Sequence, residues 1–435
     1  MSLKFKEKSS ENIQKQIFDE DYKLIPLDIP FPPLGMPIGF PRYNRMVKIK
    51  KPVEPPPLAM PGANLPRIVH YMADMGGCGW WRCGAPELLL NYNQKAIINQ
   101  LTTMVVDPRF YNAGYTAIKL QRQATPVQLE FVKLLKSLGS NRQFRLIYEC
   151  DDLVFHEDIP MFNRCRTAFT DPVIRKSIEE MIELCDEMLV CSAYMRDYYK
   201  SKTKNKKIVY IPNYAPRMWF DRYYDEDRLI KNFDKNRKRP RILATPSGTH
   251  FDILNATNQV DDYSHVVQAI IKTRKDFQWV FMGGYPLLLK PYIDNGDIEF
   301  INWVNLMGFP KGIYDSNCQV SMAALADNHF NRAKSSIKLQ ESGYIGLPFV
   351  GQDLNPYNDA LFKFKTGDDL IDNIKTITKD SALYIKECRK SREISNGYWL
   401  DDDSNLNQHL TIYTTAYDDV EKRKQLSPIL FKNNY

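Results

Sequence analysis

"CQVSMAALADNHFNRAKSSIKLQESGYIGLPFV" occupies residues 318–350. Its first part, "CQVSMAAL", reads as a strand, and "LPFVGQD" at its end reads as another. Between them, residues 334–345 have helical spacing. On such a helix Lys334, Lys338, Glu341 and Ile345 share one face. Ser335 or Asn331 is the expected cap of its start. Strand, helix, strand in that order is the repeating unit of a parallel sheet.

The alternation continues outward in both directions. "RIVHYMA" (67–73), "TTMVV" (102–106), "AIKLQ" (117–121), "FRLIYEC" (144–150), "EMLVCS" (187–192) and "KIVYIPN" (207–213) read as strands. "APELLLNYNQKAII" (85–98), "PVQLEFVKLLKSLG" (126–139) and "DPVIRKSIEEMIELC" (171–185) read as helices, the last with Asp171 as cap and Pro172 at its first position. A charged stretch, 221–241, has little apolar periodicity beyond one short helix and is the expected boundary. The pattern then restarts with "RILATPSG" (241–248), "FQWVFMGG" (277–284) and "IEFINWV" (298–304). The fold class is therefore α/β, with two doubly wound units facing across a cleft. The first unit is placed at 63–225 and the second at 235–404. Residues 1–62 are crowded with proline, which excludes long helices and central strands, so an extended arm is expected there.

Composition agrees with this division. A chain of 435 residues is too long for one core. No apolar run reaches the length of about 18 residues that marks a spanning helix. The N-terminus is polar and lacks the apolar core of a signal peptide, so a cytoplasmic protein with no membrane partner is expected. Eight cysteines are scattered without a C-x-x-C pair, and six histidines form no H-x-x-x-H pair. Neither a disulfide framework nor a metal site is expected. The net charge of +7 suits a polyanionic partner, and solubility alone would also account for it.

Ligands of doubly wound sheets bind outside the carboxyl ends of the strands, so the loops after strands hold the candidates. After the first strand, Gly77 and Gly79 allow close backbone approach, and Arg82 follows as a phosphate contact; a plain turn packed by Trp80 and Trp81 is the alternative. After "FRLIYEC", Asp151 and Asp152 are candidates to accept a proton from an attacking hydroxyl, or to serve only as caps in a solvated loop. After "RILATP", Ser247, Gly248, Thr249 and His250 suit a phosphate. In 330–350, Asn331, Lys334, Ser335 and Lys338 gather at a helix start, an anion site, with Glu341 about 9 Å further along the axis. That is the reach from a diphosphate to a ribose. An exposed helix laced with ion pairs is the alternative.

These residues resemble those of GT-B glycosyltransferases, most closely the retaining group called family four. "KLQESGYIGLPFV" resembles that group's Glu-x-x-x-x-Gly-x-Pro-Val-Val segment and "VYIPNYA" (209–215) its Val-Ile-Pro-Asn-Gly strand exit, while "PSGTHFD" resembles the Gly-Thr-x-x-His-x-x-Asp loop of some sugar transferases. The resemblance implies that Glu341 holds the donor ribose, and that the C-terminal helix, 405–435, closes back on the first unit. One departure stands out. The group's second glutamate, eight residues before the first, is Ala333 here, and Asn331, Lys334 and Ser335 are left to substitute for it. Runs including "FRLIYE", "VFHEDIP", "QWVFMGG" and "NHFNRAKSSIKLQE" resemble glycosyltransferases of T-even-like tailed bacteriophages. That likeness implies transfer of glucose or arabinose to 5-hydroxymethylcytosine in double-stranded DNA.

The expected protein is thus a transferase whose co-substrate is a sugar nucleotide, UDP-linked, with no further cofactor. Asp151, Asp152 and His250 are its catalytic candidates. Ser247, Gly248, Thr249, Asn331, Lys334, Ser335, Lys338 and Glu341 are expected at the donor, and Gly77, Gly79, Arg82 and Arg122 at the acceptor. Arg109, Arg145 and the run Lys235–Arg241 are further candidates for DNA phosphates. A transferase for a carbohydrate acceptor, and a non-catalytic nucleotide- or DNA-binding protein, are the competing readings.

Overall fold

The computed structural model describes residues 23–25, 45–48 and 65–426, apart from 75, 102, 113, 140–141, 206 and 253–259. Most of the proline-rich arm (1–62) and the last residues of the closing helix (427–435) lie outside the described residues. The strands of the first half are β1 (Lys23–Ile25), β2 (Arg45–Lys48), β3 (Arg67–Tyr71), β4 (Ile97–Leu101), β5 (Thr103–Val105), β6 (Ala117–Gln121), β7 (Arg145–Cys150), β8 (Glu187–Val190) and β9 (Ile208–Tyr210). Those of the second half are β10 (Arg241–Ala244), β11 (Gln278–Met282), β12 (Glu299–Ile301), β13 (Val320–Ala323), β14 (Phe349–Gln352) and β15 (Phe362–Phe364).

Two six-stranded sheets, parallel throughout, form the body. Their orders are β4-β3-β6-β7-β8-β9 and β12-β11-β10-β13-β14-β15. Central strands such as β6 and β7 are buried along their whole length, as strands covered by helices on both faces must be. The winding direction reverses between β3 and β6 in the first sheet and between β10 and β13 in the second. Crevices open at the carboxyl ends of strands at such switch points.

Packing ties the two halves together. Leu229 and Phe233, from the Glu226–Asn236 helix in the charged stretch, pack with Ile242 and Trp279 of the second sheet. The helix Asp403–Leu426 returns to the first half, where Leu406, Ile412 and Tyr413 pack with Ile68 and Leu90. Phe330 and Ala333, which follow β13, pack into the core of the first half beside Val154 and Met195. Among the described residues no helix is long and apolar enough to cross a membrane.

Three elements differ from the sequence reading. The helix expected over 85–98 ends at Tyr92. There Gln94 turns the chain with φ of 55°, and the Asn91 side chain pairs with both the N–H and the C=O of Ile98, the second residue of β4. "TTMVV" does not join the first sheet. Its β5 runs parallel to β2, itself antiparallel to β1, in a separate three-stranded sheet. The helix expected over 334–345 begins only at Ile337, for a reason that lies in the cleft.

Candidate active site

The turn before that helix is held from the opposite half. Asn328 caps a single helical turn, His329–Arg332, by accepting from the Asn331 N–H. The chain then leaves the helical path. Ser192 Oγ donates to the Ala333 carbonyl over 2.6 Å, and Asn213 Nδ2 donates to Ser335 Oγ over 2.9 Å. Both partners belong to the first half. Ser336, not Ser335 or Asn331, is the N-cap of Ile337–Ile345, and its side chain makes no capping bond. Lys334 and Ser335 therefore sit in a turn that faces the cleft ahead of the helix start. Ala333 is buried in the first half's core, where a glutamate would be left in apolar surroundings.

Along the helix, Lys338 Nζ meets Glu341 Oε2 at 2.8 Å. Glu341 is 4% exposed. Burial pushes its carboxyl above the usual range, and Lys338 opposes that shift. Gly346, with φ of 80°, ends the helix in the left-handed conformation and delivers the chain to β14.

The loop after β10 closes the other side of the second switch point. Ser247 Oγ and Thr249 Oγ1 are 2.7 Å apart. His250 Nδ1 bonds Asp262 Oδ2 over 2.6 Å. The other Asp262 oxygen accepts from the Ala326 N–H and from Asn331 Nδ2. One buried carboxylate thus binds the loops after β10 and β13 into a unit. It also turns the Asn331 amide nitrogen away from the cleft. Burial lowers the His250 pKa, Asp262 works against this, and Lys334 and Lys338 add to the lowering. A neutral His250 that donates Nδ1–H to Asp262 leaves Nε2 as an acceptor.

Across the cleft stand the acids after β7. Asp152 Oδ1 lies 3.8 Å from Lys334 Nζ, an ion pair between the two halves. Arg122, at the end of β6 with φ of 44°, sends Nε to Asp151 Oδ1 at 3.3 Å and Nη2 to Asp74 Oδ2. Burial raises the pKa of Asp152; Lys334 and Arg122 pull it down, while Asp151 and Asp74 push it up. For Lys334, burial opposes the charge, but the carboxylates of Asp152, Asp262 and Asp151 outweigh it and its pKa is raised. Cys78, Asp151 and Asp152 also bring possible metal-ligating atoms within 4.8 Å of one another, but Arg122 and Lys334 already supply cationic charge there.

In the glycine loop, Asp74 Oδ1 accepts from the Gly76 and Gly79 N–H groups. A Cβ at Gly79 would stand 2.0 Å from the Asp74 carbonyl oxygen, so Gly79 serves this fold-back rather than a ligand. A Cβ at Gly77 would meet nothing within 4 Å, so Gly77 keeps open space before it.

Arg82 and Arg145 lie elsewhere than expected. Arg82 is 1% exposed; Nε bonds Glu149 over 2.6 Å, and Nη1 bonds the Ile211 carbonyl and Asn213 Oδ1. Arg145 is 2% exposed and pairs with Glu187 over 2.7 Å. A buried guanidinium needs a carboxylate, and each found one within the first half. Neither meets a ligand at the surface. Arg109 is exposed beside Asp107, and Lys235, in the last turn of the Glu226–Asn236 helix, and Arg237 and Lys238, just after it, are exposed.

The sequence reading missed two cleft residues. Trp303 follows β12 and is 58% exposed; a Cβ at Gly283 would lie 3.0 Å from its ring. A tryptophan near the end of "IEFINWV" was the available signal. Arg164, from the first half, lies against Gly248, where a Cβ would come 3.4 Å from Nη2. No local pattern marks Arg164, because its neighbour is 84 positions away.

Neither a protein-family model nor a curated protein matches the chain. Solved structures do. Anabaena Alr3699/HepE in complex with UDP-glucose superposes with a TM-score of 0.53 at 10% identity, over 80% of this chain and 99% of HepE. The HepE complex with UDP gives 0.52 at 10% identity, over 81% of this chain and 100% of HepE. The fold is GT-B. At this identity the likeness is one of fold. In GT-B terms, the loops after β10 and β13 and those after β3, β6 and β7 face one another across the interdomain cleft.

Proposed function

We propose that this chain is a glycosyltransferase that moves glucose or arabinose from a UDP-linked donor to the hydroxyl of 5-hydroxymethylcytosine in phage DNA, with retention of configuration. The observation that carries the proposal is the constellation Lys334, Ser335, Lys338 and Glu341 at the second switch point, opposed by Asp152. Two cations and a hydroxyl suit a diphosphate. Glu341, on the helix that carries Lys338, suits the ribose hydroxyls, and the exposed face of Trp303 suits the base. HepE, of like fold, has been crystallised with UDP-glucose. The acceptor follows from the resemblance to phage transferases, and would place the enzyme in the host cytoplasm. We retain the sequence division into an acceptor unit, 63–225, and a donor unit, 235–404.

The diphosphate is the leaving group. Lys334 and Lys338 stabilise the charge that develops as it departs, and no metal is needed for that step. His250 Nε2 takes a hydrogen bond from a sugar hydroxyl, and Asp152 orients or deprotonates the acceptor hydroxyl. The Asp152–Lys334 pair supports a reading in which the proton acceptor and the leaving group share one side of the sugar. Attack from that side retains configuration.

Hydroxymethylated DNA incubated with the protein and a panel of UDP-sugars should gain the mass of one hexose or pentose per modified nucleoside. Unchanged nucleosides with every sugar would count against the acceptor. A carbohydrate acceptor is the second reading, favoured by the interior positions of Arg82 and Arg145, which remove two contacts from any DNA surface. DNA binding that weakens steeply with salt supports the first reading, and no DNA binding at any salt supports the second.

Glu341→Ala should weaken UDP binding by about 10–100-fold, the loss expected for charge-assisted hydrogen bonds to ribose. Isothermal titration calorimetry measures it, and unaltered affinity would remove Glu341 from the donor site.

A further inference from the structure

A chain of buried polar contacts runs from the end of β7 to the turn before the Ile337–Ile345 helix. Glu149 Oε1 accepts from Arg82 Nε over 2.6 Å. Arg82 Nη1 donates to the Ile211 carbonyl over 2.7 Å and to Asn213 Oδ1 over 3.0 Å. Asn213 Nδ2 donates to Ser335 Oγ over 2.9 Å. Arg82, Glu149 and Asn213 are 1%, 0% and 2% exposed. Ser335 is half-buried and faces the cleft.

The direction of every bond in this chain is fixed by chemistry. A guanidinium only donates, so the Asn213 atom that meets it must be the carbonyl oxygen Oδ1. The amide nitrogen then points at Ser335. An amide nitrogen only donates, so Ser335 Oγ is forced to accept. The Ser335 proton cannot turn toward Asn213. Among the described residues no hydrogen bond has this hydroxyl as donor, which leaves its proton for a ligand.

We propose that Arg82 and Asn213 are positioning residues that hold the Ser335 hydroxyl as an obligate donor to the diphosphate of the sugar nucleotide. The proposal rests on the donor reading above. Arg82, expected as a surface contact to an acceptor phosphate, instead acts from the interior through two residues. The same guanidinium is anchored on Glu149, two positions before Asp151. The donor-side hydroxyl and the acceptor-side acids are thereby registered to one strand end. A free serine rotates among staggered positions, and fixing one beforehand removes that cost from binding.

Asn213→Asp tests the direction. An aspartate in the same place accepts, so the Ser335 O–H would turn inward and be consumed. UDP affinity should fall about tenfold or more, the scale of one hydrogen bond to a charged group. Uridine, which lacks the diphosphate, should bind Asn213→Asp and the unchanged protein equally. Ser335→Ala should show the same selective loss, and Asn213→Asp in a Ser335→Ala background should add nothing. Asn213→Ala removes the constraint without reversing it, and should cost a smaller factor.

Several results would overturn the relay. One is a loss in Asn213→Asp that persists undiminished without Ser335, which would mean repulsion by the new charge alone. Another is equal weakening of uridine and UDP, which would mean general disruption. If neither Asn213 variant folds, Ser335→Ala decides, and unchanged UDP affinity in it sinks the proposal. An unchanged protein that binds no UDP would instead overturn the donor reading, and the relay with it.

Discussion

Asp152→Asn should lower kcat by about 10²–10⁴-fold, the range for removing a positioned base, while UDP binding is retained. The argument is geometric first. Asp152 projects from the end of β7 into the cleft and lies 3.8 Å from Lys334 of the opposite half. Asp151, its neighbour, is engaged by Arg122, which leaves Asp152 as the carboxylate that meets the donor side. The pH profile provides a second readout. Burial raises the Asp152 pKa, so the carboxylate loses its charge at a higher pH than an ordinary aspartate. Activity that requires the ionised form is present above that pKa and falls as pH drops through it. The acid limb of kcat should therefore lie above that of an ordinary aspartate, and should vanish in Asp152→Asn. A limb that persists in the variant would assign the base elsewhere.

Lys334→Ala should lower kcat by about 10²–10³-fold, the scale for losing one group that stabilises a developing anion. Lys334 has two duties in the proposed mechanism. It faces the departing diphosphate, and it holds down the pKa of Asp152. Its removal therefore carries a second signature, a shift of the acid limb to higher pH. Arg122, Asp151 and Asp74 also act on Asp152 and remain in place, so the limb should move rather than disappear. Lys334→Arg keeps the charge and should restore the position of the limb more fully than it restores kcat. A Lys334→Ala variant with a normal rate would show that Lys338 and the helix start carry the diphosphate alone.

The interior positions of the first half's arginines bear on the acceptor. Two of the arginines expected at DNA phosphates are sealed inside the first half, each with its own glutamate. A third, Arg122, is committed to Asp74 and Asp151. Any DNA surface must then use exposed groups such as Arg109, so salt dependence of DNA binding reports on fewer phosphate contacts than the sequence suggested.

Much of the fold could be read from periodicity alone. Runs such as "FRLIYEC" and "QWVFMGG" announce buried parallel strands because strands covered on both faces are apolar along their length. The alternation with helices sets the chain class, and the placement of loops after strands points to the residues that gather in the cleft. Even so, local pattern overran its limits at Tyr92, where a turn at Gln94 ends a helix that still looked periodic.

What the sequence by itself determined was which residues stand at strand ends, since that depends on neighbours two to four positions away. What only the tertiary structure decided was the direction those side chains take. Arg82 and Arg122 look alike in sequence as basic residues near strand ends. One is drawn inward by Glu149, 67 positions away, and the other bridges acids at the cleft. The stretch 334–345 looked like one helix because its spacing is helical from Lys334 onward. Ser192 and Asn213, more than a hundred residues earlier, hold its first turn out of the helix and turn it toward the cleft. A buried charge or hydroxyl goes where its partner is, and in this chain the partners lie far away in the sequence, some in the same half and some in the other.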